Sequence, residues 1–100
     1  MNSKIQDEYV DFLFDAILSL RTREDCYKFF EDLCTVPEIK AISQRLTVAD
    51  MLRKKMVYNE IVARTGASTA TISRIKRALD YGSDGYALVF DRMEQEGKEK

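Results

Sequence analysis

Apolar residues recur at three- and four-residue intervals along most of the chain, and the strand-type alternation of β-branched residues is missing, so the pattern predicts an all-α protein. Ile5, Tyr9, Phe12, Leu13, Ala16, Ile17 and Leu20 mark a long amphipathic first helix that fades near Arg21, and Phe14 widens its apolar surface beyond one stripe. A chain of 100 residues has difficulty covering so broad a surface by itself, and packing against the same helix of a second copy is one solution. Thr22 followed by Asp25 starts a second helix, whose stripe is Cys26, Phe29, Phe30, Leu33 and Cys34. Thr35-Val36-Pro37-Glu38 is a stronger start. Thr35 and Glu38 have the spacing of a capping box, and Pro37 falls in the first turn, where its missing N–H costs nothing. This third helix runs to about Arg53, with Ile39, Ile42, Leu46, Ala49 and Leu52 expected to face inward.

Beyond Arg53 the pattern shortens. Val57 to Arg64 form a fourth helix broken by Gly66, whose missing side chain suits the left-handed backbone of a tight helix-to-helix turn. Ser68 caps a fifth helix reaching about Asp80. Ile61, Ile72 and Ile75 are spaced about Gly66 as two helices packing their apolar faces together require, the arrangement of a helix-turn-helix over about 57–80. Tyr81 to Gly85 are a loop, and a last helix from about Tyr86 to Gln95 carries Leu88, Val89 and Met93. The expected organisation is one domain over 1–100, with dimerising helices over about 5–34 and a fraying tail at 96–100.

Charge changes the picture most. The whole chain is nearly neutral, at −1, yet residues 53–79 hold seven Lys or Arg against the single Glu60, a net of +6, leaving −7 for the rest. Such a local concentration of cations is what phosphate binding needs, because neutralising phosphates releases condensed counterions. Winding the fifth helix at about 100° per residue turns Ile72, Ile75 and Leu79 to one side and Ala70, Ser73, Arg74 and Arg77 to the other. The outward set combines a small residue for close approach, a hydroxyl, and two guanidiniums matched to guanine edges or phosphates. Thr69 and Lys76 flank it. Ser68, Thr69 and Thr71 in the first turn can hold a phosphate or simply cap the helix. Lys54, Lys55, Tyr58 and Asn59, around the start of the fourth helix, are candidate backbone clamps.

Other chemistries recede. There is no histidine, so imidazole acid–base catalysis and triads built on it are excluded, and no glycine-rich phosphate loop is visible; the chain does not read as an enzyme, nor as the holder of a metal or other cofactor. Cys26 and Cys34 are eight residues apart on one expected helix, roughly 12 Å, too far to bridge, and read as small apolar residues of a reducing compartment. No apolar run approaches a membrane span and the polar, acidic N-terminus resembles no secretory signal, so a cytoplasmic location is expected, without a membrane partner.

The stretch Gly66 to Arg74, GASTATISR, with Thr35 to Arg45, TVPEIKAISQR, resembles the tryptophan repressor family, and more closely its YerC/YecD-type relatives of Gram-positive bacteria. The similarity covers roughly Thr22 to Leu79. It implies a fold of six helices, an intertwined homodimer made largely by the N-terminal helices, and operator binding in successive major grooves. It also implies a pocket for the corepressor, in which Thr35, Arg45, Thr71 and Arg74 match the family by residue type. Other positions depart from it. Ile75 stands where the repressor has a glycine beside the indole and Ala78 where it has a serine, Asp32 and Cys34 replace apolar residues, and the spacing from Arg45 to the helix-turn-helix differs by one.

A branched side chain at Ile75 fills much of an indole slot, since packed interiors have little spare volume. Tryptophan is therefore not expected as a cofactor. Arg45 and Arg74 have a plain alternative as partners of Asp32 or Glu38, and Arg74 can face either groove or pocket. The leading expectation is a homodimeric regulator of transcription, a repressor reading a palindromic site on double-stranded DNA. Two alternatives stand beside it: a module contacting a protein of the transcription machinery, and a repressor dependent on tryptophan or another small molecule.

Overall fold

A computed structural model describes residues 3–97, and every regular element among them is helical. A short 3-10 turn, Ser3–Ile5, precedes six α-helices: α1 Glu8–Leu18, α2 Arg23–Leu33, α3 Val36–Arg53, α4 Tyr58–Thr65, α5 Thr69–Tyr81 and α6 Gly85–Gln95. The all-α, six-helix expectation holds. The chain divides into two compact units, residues 1–39 and 40–100, with α3 running through the division.

In the first unit the helix starts follow local chemistry. Asp7, not anticipated, caps α1 by accepting from the Val10 N–H at 2.8 Å, so α1 begins after the turn holding Ile5 and is shorter than the apolar spacing suggested. Its other end is closed by Ser19, whose hydroxyl donates to the Ala16 carbonyl at 2.6 Å. Thr22 caps α2 by accepting from the Asp25 N–H at 3.0 Å, while the Asp25 carboxylate accepts from the Arg21 N–H at 3.0 Å. The Thr35–Glu38 box forms as expected: Thr35 N–H donates to Glu38 Oε1 at 2.8 Å and Glu38 N–H to Thr35 Oγ1 at 3.3 Å. Hydrogen bonds from the Thr35 and Arg21 backbones, respectively, are the main causes holding the Glu38 and Asp25 carboxyls below their ordinary pKa. Both cysteines are free.

Among the described residues of this unit, none is buried. Tyr9, Phe12 and Leu18 are 75–80% exposed, and Tyr27, Leu33 and Val36 are exposed as well. Ile42 and Leu46 on α3, expected to face inward, are exposed.

The core belongs to residues 40–100. Val48, Ala49 and Leu52 of α3, Ile61 of α4, Ala67 of the turn, Ile72 and Ile75 of α5 and Phe90 of α6 form one buried cluster, with Met51, Met56, Val62, Leu79, Tyr86 and Met93 packed around it. The loop before α6 differs in detail from the expectation. Asp84, not a glycine, takes the left-handed conformation there (φ 63°), whereas Gly82 has φ −83° and is needed because a Cβ would collide with the Ala78 carbonyl. Part of the charged tail, 98–100, lies outside the described residues.

Candidate nucleic-acid interface

Two helices and a three-residue turn make the site. Ile61 and Ile72 are fully buried and Ile75 is 4% exposed, so the inner faces of α4 and α5 are held by packing as their spacing implied. Gly66 ends α4 in the left-handed conformation (φ 73°), and its N–H donates to the Val62 carbonyl at 2.9 Å. Around it the turn is cross-braced: Thr65 Oγ1 donates to the Ile61 carbonyl at 2.7 Å and accepts from the Ala67 N–H at 3.1 Å. Gln44, which the sequence did not single out, reaches from α3 and donates to the Thr65 carbonyl at 3.0 Å. Buried Ala67 then leads into Ser68, which caps α5 by accepting from the Thr71 N–H at 3.1 Å and donates to Thr71 Oγ1 at 3.0 Å.

The outer face of α5 is open. Thr69, Ala70, Ser73, Arg74 and Arg77 are exposed, while Thr71 is half-buried and its hydroxyl is engaged in the cap. Arg74 and Arg77 make no ion pair among the described residues, and neither does Arg45. Of the residues matched to a ligand pocket, Thr35 is committed to its capping box with Glu38 in the first unit, and Arg45 and Arg74 are exposed. Two clefts on the second unit are lined by other residues: one of about 180 Å³ by Arg53, Ala78, Tyr86 and Phe90 among others, and one of about 420 Å³ that includes Lys55, Met56, Tyr58 and Lys76.

The end of α3 delivers the candidate clamps. Met56 N–H donates to the Met51 carbonyl at 3.1 Å and Lys55 N–H to the Leu52 carbonyl at 3.0 Å, the hydrogen-bond pair of a Schellman motif. Met51 and Met56, the residues joined by the first of these bonds, both pack against the core. The left-handed position of this motif ordinarily belongs to glycine; here it is Lys55, at φ 67°, exposed and without an ion pair among the described residues. Tyr58 and Asn59 follow at the start of α4, whose N-cap Val57 offers no side-chain acceptor.

Several cations counted in the basic stretch are already occupied. Arg53 donates to Asp50 at 2.8 Å and to Glu94 at 3.0 Å, with its Cζ 4.4 Å from the centre of the Phe90 ring, and so ties α3 to α6. Lys54 pairs with Asp50 at 3.1 Å, Arg64 with Glu60 at 2.9 Å and Lys76 with Asp80 at 2.6 Å. Asp50 and Asp80 lie just outside residues 53–79; counting both lowers the local net charge from +6 to +4 (seven bases, three acids). The Asp80 hydrogen bond is the largest cause raising the Lys76 pKa.

A buried α4–α5 pair around a left-handed glycine, with an exposed and partly basic outer helix face, is the geometry of a DNA-reading helix-turn-helix. Comparison with known proteins agrees: the family model of the Trp repressor protein matches residues 8–94. The chain belongs to the Trp repressor family. That family is one of DNA-binding regulators rather than enzymes. Its Bacillus subtilis (strain 168) member YerC is 52% identical over 92 residues, covering 92% of this chain and 88% of YerC. A solved TrpR-like protein from Eubacterium eligens is 53% identical with a TM-score of 0.89, covering 93% of this chain and 96% of that one. A Trp repressor-type structure from Staphylococcus aureus is likewise 53% identical, with a TM-score of 0.88 over 94% of this chain and 95% of that one. Among the described residues, no helix is long and apolar enough to cross a membrane.

Proposed function

We propose that this Trp repressor-family chain is a homodimeric, sequence-specific regulator of transcription, a repressor that binds a palindromic operator with α5 in the major groove. It acts in the bacterial cytoplasm, where the DNA is. The observation that carries this reading is the division of α5 into two faces. Ile72 and Ile75 lock one face into the core, while Ala70, Ser73, Arg74 and Arg77 stand exposed on the other, with both guanidiniums free of carboxylates among the described residues. A face held rigidly from behind and unpaired in front is prepared to meet base edges without first losing internal contacts. The exposed apolar residues of α1 to α3 support a second copy as their cover.

Tryptophan control is absent in this reading. Ile75 is 4% exposed and is itself part of the core, so its side chain already holds α5 where a bound indole otherwise would. Calorimetry should give no saturable heat with tryptophan; tight, stoichiometric binding would overturn that part.

Duplex titration at two salt concentrations tests the main reading and separates it from contact with a protein of the transcription machinery. Affinity should fall steeply as salt rises, and a Lys55→Ala/Arg77→Ala double variant should lose about two phosphate contacts' worth of that slope. An unchanged slope would mean that DNA, if bound at all, lies elsewhere.

A further inference from the structure

Four i,i+4 ion pairs among the described residues divide three to one in their order along the helix. Glu24–Lys28, Asp50–Lys54 and Glu60–Arg64 all place the acid nearer the helix N-terminus, the order that also suits the helix dipole. Lys76–Asp80 is reversed. Its carboxylate sits in the last turn of α5, at the negative end of the helix, in a turn with no basic residue. Helix stabilisation accounts for the first three pairs and not for this one. Yet it is the shortest of them, at 2.6 Å, and both side chains remain more than 40% exposed on the wall of the 420 Å³ cleft that also includes Lys55 and Tyr58. An acid is thus clasped to a lysine beside the residues proposed to clamp the DNA backbone.

We propose that Asp80 is an attenuator of sequence-independent DNA affinity: it keeps Lys76 in an internal pair, so that this end of α5 makes no phosphate contact on arbitrary duplex. This rests on the DNA-binding reading above and leaves Lys76, which flanks the outward face of α5, out of the contacts made with arbitrary duplex. The physical logic follows from what non-specific binding consists of. It is made almost wholly of phosphate neutralisation, and non-operator sites outnumber operators enormously, so one cation withheld leaves more protein free to search. Arg74 and Arg77, without an ion pair among the described residues, remain available on the same helix to guanine edges or phosphates.

The test uses the full chain and a short duplex of mixed sequence, with affinity measured by fluorescence anisotropy from about 50 to about 200 mM salt. Freeing one cation for one phosphate is worth a slope change of about 0.9, or about eightfold in affinity near 0.1 M salt. Asp80→Asn should therefore bind about eightfold tighter at that salt, with a steeper slope. Lys76→Gln should stay close to wild type, and the gain from Asp80→Asn should vanish in the Lys76→Gln/Asp80→Asn double variant. A Lys76→Gln variant about eightfold weaker than wild type would show that Lys76 already contacts phosphate and overturn the proposal. So would a gain that survives in the double variant, which would assign the effect to direct repulsion by Asp80. Wild type that binds duplex while Asp80→Asn changes nothing sinks this inference alone; wild type that binds no duplex sinks the DNA-binding reading and the inference with it. The paired side chains are surface groups, and a thermal midpoint for each variant confirms that the fold is intact.

Discussion

Lys55 holds φ 67° at the end of α3, a conformation in which an L side chain crowds the following carbonyl at a cost of about 1–2 kcal/mol. Glycine at that position removes the crowding but loses more freedom on folding, which returns about 0.5–1 kcal/mol of the gain. Lys55→Gly should therefore stabilise the protein by about 0.5–1 kcal/mol, and with an m-value near ~1.5 kcal/mol/M the urea midpoint should rise by about 0.3–0.7 M. Protein concentration has to be fixed across variants, because the apparent stability of an associating chain depends on it. The same change deletes an exposed cation beside α4, so duplex affinity should fall about eightfold near 0.1 M salt and the salt slope should lose about one phosphate. Lys55→Ala separates the two effects. It keeps the strained backbone and should leave the urea midpoint near wild type, yet lose the same DNA affinity. A Lys55→Gly midpoint at or below wild type would refute the strain argument. A Lys55→Ala midpoint that rises as far as that of Lys55→Gly would trace the gain to relief of repulsion among neighbouring cations instead.

Four further outcomes can be checked on the same material. Ile72→Ala, which empties a fully buried position at the junction of α4 and α5, should cost about 2–5 kcal/mol by urea unfolding, and a loss under ~1 would show that the site collapses or is less tightly packed than described. Gly66→Ala should cost about 0.5–1 kcal/mol, the same balance of backbone crowding against chain freedom in reverse, since a Cβ there meets nothing. Gly82→Ala should cost more than Gly66→Ala, because its Cβ collides with the Ala78 carbonyl and breaks the terminal turn of α5, visible as lost helical circular dichroism. The depressed Asp25 and Glu38 carboxyls stabilise the fold above their unfolded values of 3.8 and 4.5, and this support disappears as pH falls through their lower folded values. Unfolding midpoints should therefore drop in acid, and an Asp25→Asn/Glu38→Gln variant should show a shallower drop; an unaltered acid limb would assign it to other carboxylates.

What the sequence revealed and concealed divides by range. Thr22, Thr35, Ser68 and Gly66 act within three or four residues of themselves, and each end they mark is found within about one residue of its expected place. Asp7 acts over the same range but was masked by an apolar spacing that ran straight through it. The α4–α5 packing was legible because Ile61, Ile72 and Ile75 need only one turn between them. Ile42 and Leu46 misled because helical spacing identifies an apolar face and says nothing about whether the same chain covers it. Lys55 gave no sign of a left-handed backbone, since lysine has no preference for it. Gln44 and Thr65 are 21 residues apart, and no local pattern connects them. The charge count misjudged the site for a simpler reason: its window stopped short of Asp50 and Asp80.

The bare apolar residues of α1 and α2 also bear on how long a chain survives in the cell. Tyr9, Phe12 and Leu18 on an uncovered protomer are the kind of surface that chaperones hold and proteases sample, and they would be withdrawn from both once a second copy covered them. Under the dimer proposed above, chains left without a partner turn over faster than those in pairs. A surplus of synthesis is then trimmed after translation, and the amount of regulator facing the DNA is set partly by turnover, independently of any small molecule.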